Sequence, residues 1–331
     1  DINDWYETVK VNYGVKPDGS LDFPTLPKAL EHQDYRAHYA FWQDKELPNS
    51  WYKFRNIALY WLDKGVDGFR YDMAEMVPVE FWSFLNSSIK MHKPDAFLLA
   101  EVYNPLMYRT YIHQGKMDYL YDKVGFYDTL KAIMQGKQAA SSIFNAQQKV
   151  ADIEQHMLHF LENHDEQRIA SPDFAGDAAL GKPAMLVSHL ISRSPSLLYF
   201  GQDVGEDGSE NAGFGSPTRT SIFDYIGVPA HQAWMNNGKF DGGQLTTEQA
   251  QLRQYYISIM ALNDLPAIVA GDMAPLLVTG SNRVVGFVRT LGQQSLWVLS
   301  NFSQQAQTVT ITLTPNQATM LKPNSTLYDL L

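Results

Sequence analysis

Apolar side chains at positions 51, 54, 57, 58, 61 and 62 recur at the spacing of a one-faced helix, so residues 51–64 are predicted to be helical, with Gly65 as the stop. Gly68-Phe69-Arg70-Tyr71 then reads as a short strand. The same order recurs: helical pattern over 79–91 precedes the apolar run 96–102, 106–114 precedes 117–121, 126–148 precedes 156–161, and 182–191 precedes 196–200. Five apolar strands, each after a helix, predict parallel pairing with both faces covered. Such an α/β array is either a doubly wound sheet or a barrel. Residues 1–50 break the rhythm with turn signals at Pro17-Asp18-Gly19, Pro24, Pro27 and Pro48, and read as a long irregular excursion. After a last helical pattern over 249–263 the texture changes at Pro266 to short alternating segments, 283–290, 294–301, 308–313 and 326–330, parted by Gly, Asn, Ser and Pro. The organisation expected is an entry segment over 1–50, an α/β array over 51–265 and an all-β sandwich over 266–331.

Composition narrows the function classes. The 331 residues carry a formal net charge of −10, which repels phosphate backbones and anionic lipid, so nucleic acid is not an expected partner. The greasiest stretch, 184–199, is cut by Ser188, His189, Arg193 and Pro195, and falls short of the roughly 18 apolar residues of a membrane span. With no cysteine, thiol chemistry and cysteine-ligated metal are excluded, while the compartment stays open. Seven Trp, 18 Tyr and 17 Phe fit core packing first and sugar stacking second. The chain begins at Asp1 without methionine, basic flank or apolar leader, and reads as a processed or trimmed product.

Functional residues of parallel α/β arrays gather at the carboxyl ends of strands. Three of the five predicted ends carry an acid: Asp72, Glu101 and Asp165. Any one of them reads equally well as a helix N-cap or half of a buried salt bridge, but three on one array converge on a cleft. Arg70 stands two residues before Asp72, and the strand period of two sends both side chains to one face. A guanidinium there orients Asp72 as a carboxylate nucleophile. Glu101, near that charge and expected in a largely apolar wall, would keep a proton to donate. One ionised and one protonated carboxyl are the machinery of glycosidic cleavage, which in its retaining form needs them about 5–5.5 Å apart. No Gly-x-Gly-x-x-Gly, Walker, His-Glu-x-x-His or Gly-x-Ser-x-Gly motif competes, and the nine histidines are scattered.

At these residues the chain resembles the α-amylase family, retaining α-glucan enzymes built on a (β/α)8 TIM barrel. Residues 68–74 are similar to that family's fourth-strand motif, 100–104 to its fifth and 160–165 to its seventh. The resemblance implies Asp72 as nucleophile, Glu101 as general acid/base, Asp165 as a third carboxylate gripping sugar hydroxyls, and Arg70 and His164 as supporting substrate-binding residues. Tyr103, two residues past Glu101, and Trp5 are candidate stacking platforms, with ordinary packing at least as good a reading. Trp5-Tyr6 with Val11-Asn12-Tyr13 resembles the family's return segment from an inserted domain, and 197–201 with 219–225 its eighth-strand region.

Two departures stand out. Where many family members have Lys-His after the nucleophile, Glu75-Met76 stands here. The family's first motif, an Asp and an Asn-His at the third strand, has no counterpart, since the only Asn-His is Asn163-His164. The five strands therefore correspond to strands 4–8, and the chain is expected to be the carboxyl-terminal part of a longer polypeptide, with that preceding portion as its partner.

The expected activity is retaining, endo-acting hydrolysis of α-1,4-glucosidic bonds in starch or maltooligosaccharides through a covalent glucosyl–Asp72 intermediate. The alternatives are a transglycosylase or sucrose- or trehalose-active relative, and a non-catalytic glucan-binding fragment. No cofactor is required for the chemistry, and any structural Ca2+ would take its ligands from the preceding portion. A polymeric substrate and the lack of cysteine lean towards secretion or a periplasm.

Overall fold

A computed structural model describes residues 11–208, 220, 227–321 and 328–331. The chain forms two compact units, Asp1–Tyr121 and Asp122–Leu331.

In the first unit the entry segment is less irregular than its proline-rich sequence predicts: a 3-10 turn, Lys28–Leu30, leads into helix α1, Tyr35–Trp42. Asp34 caps α1 by accepting from the amides of Arg36 and Ala37, both at 3.0 Å. Only His38 and Trp42 of α1 are buried, too few to show a period in the sequence. Both reach one hydroxyl in α3, Val79–His92: Trp42 Nε1 donates to Ser83 Oγ at 2.9 Å, and His38 Nδ1 lies 2.8 Å from it. His38 Nε2 is 2.6 Å from the Leu30 carbonyl, so Nε2 carries the proton and Nδ1 accepts from Ser83.

Helix α2, Asn49–Asp63, lies where predicted, and Gly65 beyond it takes φ +97°, the left-handed conformation that stops a helix. Its apolar face is split. Trp51 is fully buried against Phe23, Trp42, Phe81 and Phe84, whereas Ile57, Tyr60 and Trp61 are about half exposed.

Strands β1, Gly68–Tyr71, β2, Phe97–Ala100, and β3, Tyr119–Tyr121, pair in parallel in that order, with Arg70 opposite Leu99 and Leu99 opposite Tyr119. Gly68 is required at the start of β1, because a Cβ there would fall 1.9 Å from the Phe97 carbonyl oxygen. Helix α3 and the short α4, Tyr108–His113, supply the intervening crossovers.

The second unit opens on a single π-turn, Lys123–Tyr127, followed by α5, Asp128–Met134, and α6, Ser142–Lys149. The one long helix predicted over 126–148 is thus broken, at Gly136 with φ +73°. Strands β4, Met157–Phe160, and β5, Ser196–Leu197, pair in parallel, and α7, Lys182–Leu190, joins them. β5 is shorter than predicted because the chain turns at once, with the Gln202 amide donating to the Tyr199 carbonyl and Gly201 at φ +78°. Helices α8, Pro229–Met235, α9, Thr247–Ala261, and α10, Pro266–Val269, follow.

Beyond α10 stand β6, Asp272–Pro275, β7, Leu277–Thr279, β8, Val284–Leu291, β9, Gln294–Asn301, β10, Thr310–Thr312, and helix α11, Pro315–Met320. They form antiparallel sheets β6-β8-β9 and β10-β7. β6 and β7 escape sequence reading because Pro275 ends one strand and reads as a break. The strand predicted at 326–330 falls partly outside the described residues, and 328–331 carry no strand. Arg289 of β8, fully buried, donates to the carbonyls of Leu190 at 3.3 Å, Ala267 at 3.3 Å, Ile268 at 2.7 Å and Gly271 at 2.8 Å. Ser300 of β9 donates to Pro183 in α7 at 2.9 Å, so the terminal sheet is fastened to α7 and α10.

Candidate active site

β1 delivers Arg70 in the strand and Asp72 one residue past its end; β2 delivers Glu101 one residue past its own. The parallel register puts these ends side by side, since Tyr71 pairs with Ala100 and the Glu101 amide donates to the Tyr71 carbonyl at 3.0 Å. Arg70 bridges the two acids: Nη1 lies 2.5 Å from Asp72 Oδ1 and Nη2 3.4 Å from Glu101 Oε2. Its guanidinium also sits 5.6 Å from the centre of the Tyr121 ring, at the end of β3. Burial opposes the charge on Arg70, but Asp72, Tyr121 and Glu101 outweigh it and hold the guanidinium above its ordinary range.

The Asp72 side chain is 71% exposed and that of Glu101 12%, so one carboxylate faces solvent and the other is largely enclosed. The apolar wall expected around Glu101 is instead a set of donors, because the Met73 amide gives a 2.8 Å hydrogen bond to Oε2 beside Arg70. Met73 takes φ +45°, a left-handed conformation unusual for a side-chain-bearing residue, and turns the chain so that the next amide, of Ala74, donates to the Glu101 carbonyl at 3.0 Å. The chain then closes into a 3-10 turn, Ala74–Met76. Tyr103 is half-buried, and its amide donates to Glu75 Oε2 at 3.1 Å.

In the second unit Asp165 lies five residues beyond β4, with its Oδ2 3.1 Å from His164 Nε2. Asn163 shapes this loop by accepting from the amides of Asp165 at 2.8 Å and Glu166 at 2.9 Å. Sequence reading missed the pair beneath it. Arg168, fully buried, donates to Glu162 Oε2 at 2.7 Å, to the Phe200 carbonyl at 2.8 Å and to Thr220 Oγ1 at 3.0 Å, while the Ile169 amide donates to Glu162 Oε1 at 2.7 Å. Burial raises the Glu162 pKa, and Arg168 and the Ile169 amide pull against that rise. The signal in the sequence is Glu162 inside the 160–165 motif with Arg168 three residues beyond it.

The structure thus brings Arg70, Asp72 and Glu101 together in one unit, and His164 and Asp165 together in the other. Trp5 lies outside the described residues, as does all of 219–225 except Thr220. Tyr13 of the expected return segment packs on Phe54 and Phe81. Among the described residues no group of three or more His, Asp or Glu stands together to hold a metal ion. No described helix is long and apolar enough to cross a membrane.

Parallel strands with carboxylates at their ends, two of them bridged by one arginine, are the frame of a glycosidase built on a carboxylate pair. The chain belongs to the alpha-amylase family: the model of the alpha amylase catalytic domain matches residues 32–234. It is 22% identical to neopullulanase 2 of Thermoactinomyces vulgaris over 311 residues, which cover 92% of this chain and 45% of that protein. A shorter segment of 88 residues is 31% identical to the alpha-1,4-glucan:maltose-1-phosphate maltosyltransferase of Cereibacter sphaeroides, covering 27% of this chain and 14% of that protein. In three dimensions it resembles the gamma-CGTase of alkalophilic Bacillus clarkii, with a TM-score of 0.61 at 18% identity over 92% of this chain and 41% of that one. An Anoxybacillus alpha-amylase gives 0.59 at 22% identity, over 78% of this chain and 54% of that one. The chain spans about half or less of the length of these relatives. At such identities the structural likeness establishes the fold, that of the (β/α)8 amylases followed by C-terminal sheets.

Proposed function

We propose that the protein hydrolyses α-1,4-glucosidic bonds of starch or maltooligosaccharides within the chain and with retention of configuration. The observation that carries this reading is the Arg70 guanidinium shared between Asp72 and Glu101 at the ends of adjacent parallel strands. Asp72, exposed to solvent and oriented by Arg70, attacks the anomeric carbon while Glu101 gives its proton to the departing glycosidic oxygen. Donors from Met73 and Arg70 occupy Glu101 Oε2, so the proton belongs on Oε1. The glycosidic C–O bond breaks and a glucosyl–Asp72 ester forms. Glu101, now a carboxylate, takes a proton from the water that attacks the anomeric carbon and frees Asp72.

Asp165 grips sugar hydroxyls, with His164 beside it. Tyr103 offers its ring to the substrate. In this reading β1 to β5 are the fourth to eighth barrel strands, with residues 51–265 as the catalytic part and 266–331 as a bracing sandwich.

Transglycosylation is the second reading, favoured by the segment 31% identical to a maltosyltransferase. Maltoheptaose separates the two. Hydrolysis gives shorter products only, the first of them α-anomers by NMR, whereas glucans longer than the substrate mark transfer. A β-anomer as first product would defeat both, and binding without turnover would leave a glucan-binding protein. Asp72→Asn and Glu101→Gln each lower turnover at least about 10³-fold with an unchanged melting temperature, because isosteric amides keep the shape and remove the chemistry.

A further inference from the structure

Glu75 is a third acid within a few residues of Asp72, and Coulomb repulsion makes it an odd neighbour for two working carboxylates. Its contacts explain it. Glu75 Oε2 accepts the backbone amides of Tyr103 at 3.1 Å and Asn104 at 2.9 Å, the second and third residues after Glu101. Neighbouring residues of the same turn hold Glu101 itself: the Met73 amide donates to its carboxylate at 2.8 Å and the Ala74 amide to its carbonyl at 3.0 Å. The turn is in turn pinned by Tyr111, whose hydroxyl lies 3.1 Å from the Glu75 carbonyl and 2.9 Å from that of Val77. Three consecutive residues after the nucleophile thus clasp the acid/base residue and the two amides beyond it, and Glu75 is the member that does so by side chain.

We propose that Glu75 is a positioning residue for the general acid: it fixes the loop after β2, so that the Glu101 carboxyl meets the leaving oxygen. This rests on the assignment of Glu101 as acid/base above. A misplaced acid hurts in proportion to how much the leaving group needs a proton, and general acid catalysis supplies about 10²–10⁴-fold. A maltooligosaccharide needs that proton; a 2,4-dinitrophenyl maltooligoside, whose phenolate leaves unaided, does not. Loss of fold or of sugar binding would depress both substrates alike.

The experiment compares kcat/KM, which reports formation of the glycosyl–enzyme, for both substrates in the complete enzyme and in Glu75→Ala, Glu75→Asp and Glu75→Gln. Glu75→Ala and Glu75→Asp, which remove or shorten the acceptor, should lose about 10- to 100-fold on maltoheptaose and less than about 3-fold on the aryl glycoside. Glu75→Gln, whose amide oxygen accepts the same two amides, should stay within about 3-fold on both. If Glu75→Ala does not fold, Glu75→Asp carries the comparison. Equal losses on the two substrates, or none, would overturn the proposal while wild-type activity and an inactive Asp72→Asn variant leave the parent reading intact. Asp72→Asn turning over at the wild-type rate would instead remove the parent reading.

Discussion

Asp122 follows β3 directly, with Oδ1 on the Phe126 amide at 3.0 Å and Oδ2 buried without a partner among the described residues. Burial first, and then the nearby Asp128, raise its pKa to about 6. An acid raised in the folded state is unfavourably charged at neutral pH, so the stability it costs returns as pH falls from about 6 towards its unfolded value near 4. His159 works the other way. Its Nδ1 proton goes to the Ser188 carbonyl at 2.8 Å and its ring stacks 3.7 Å from Phe126, and burial lowers its pKa to about 4. The stability carried by neutral His159 is complete above its unfolded pKa of about 6.5 and is lost as pH falls towards 4.

Two opposed contributions in one pH window partly cancel. Asp122→Asn, which still caps the turn, should raise stability at pH 7.5 by about 2–3 kcal/mol and gain nothing at pH 4. Calorimetric melting at both values checks it, and the variant should also lose stability between pH 6.5 and 4 more steeply than its parent. At this scale the sequence displayed Arg70, Asp72 and Glu101, because a period of two and the end of an apolar run are local patterns. It marked Glu75 as a departure but hid what it touches, and it hid Asp122 altogether. The partners of Glu75 are backbone amides 28 and 29 residues away, and Asp122 is an acid at a strand end that turns into the helix start.

Among the elements, helices and strands with a long apolar period were legible to within a residue or two, as α3 and β9 show. Those fixed by a capping side chain or a single glycine were not: α1 needed Asp34, and the break between α5 and α6 needed Gly136. Helix α2 adds a different lesson. Periodicity places Trp51 and Trp61 on one stripe, yet Trp51 is enclosed by four aromatic rings and Trp61 is 50% exposed. Trp51→Ala should therefore cost about 3–5 kcal/mol and Trp61→Ala less than about 1 kcal/mol, as urea unfolding would measure. Similar losses for the two would mean that the exposed half of the stripe is covered in solution.

For the molecule as a whole, the sequence located the change of texture at Pro266, and the structure reveals what crosses it. Arg289 and Ser300 reach back from the terminal sheet to the Leu190 and Pro183 carbonyls of α7, and neither link leaves a trace in the pattern of apolar residues. A buried guanidinium satisfied by four carbonyls is expensive to break, because all of its partners lose their hydrogen bonds together. Amides of β8 and β9 should thus exchange with solvent at the same rate as those of α7 in hydrogen–deuterium exchange, and Arg289→Met should accelerate all three. Faster exchange confined to the strands would mean that the sheet opens alone.

A module joined to its neighbour through an exposed linker alone can be traded without harm to that neighbour. The bonds of Arg289 and Ser300 to α7 restrict that freedom here. Recombination at Pro266 would keep Arg289 with the carbonyls of Ala267, Ile268 and Gly271 but take it from that of Leu190, and Ser300 from that of Pro183, so the terminal sheet is expected to be inherited together with α7 and to vary with it.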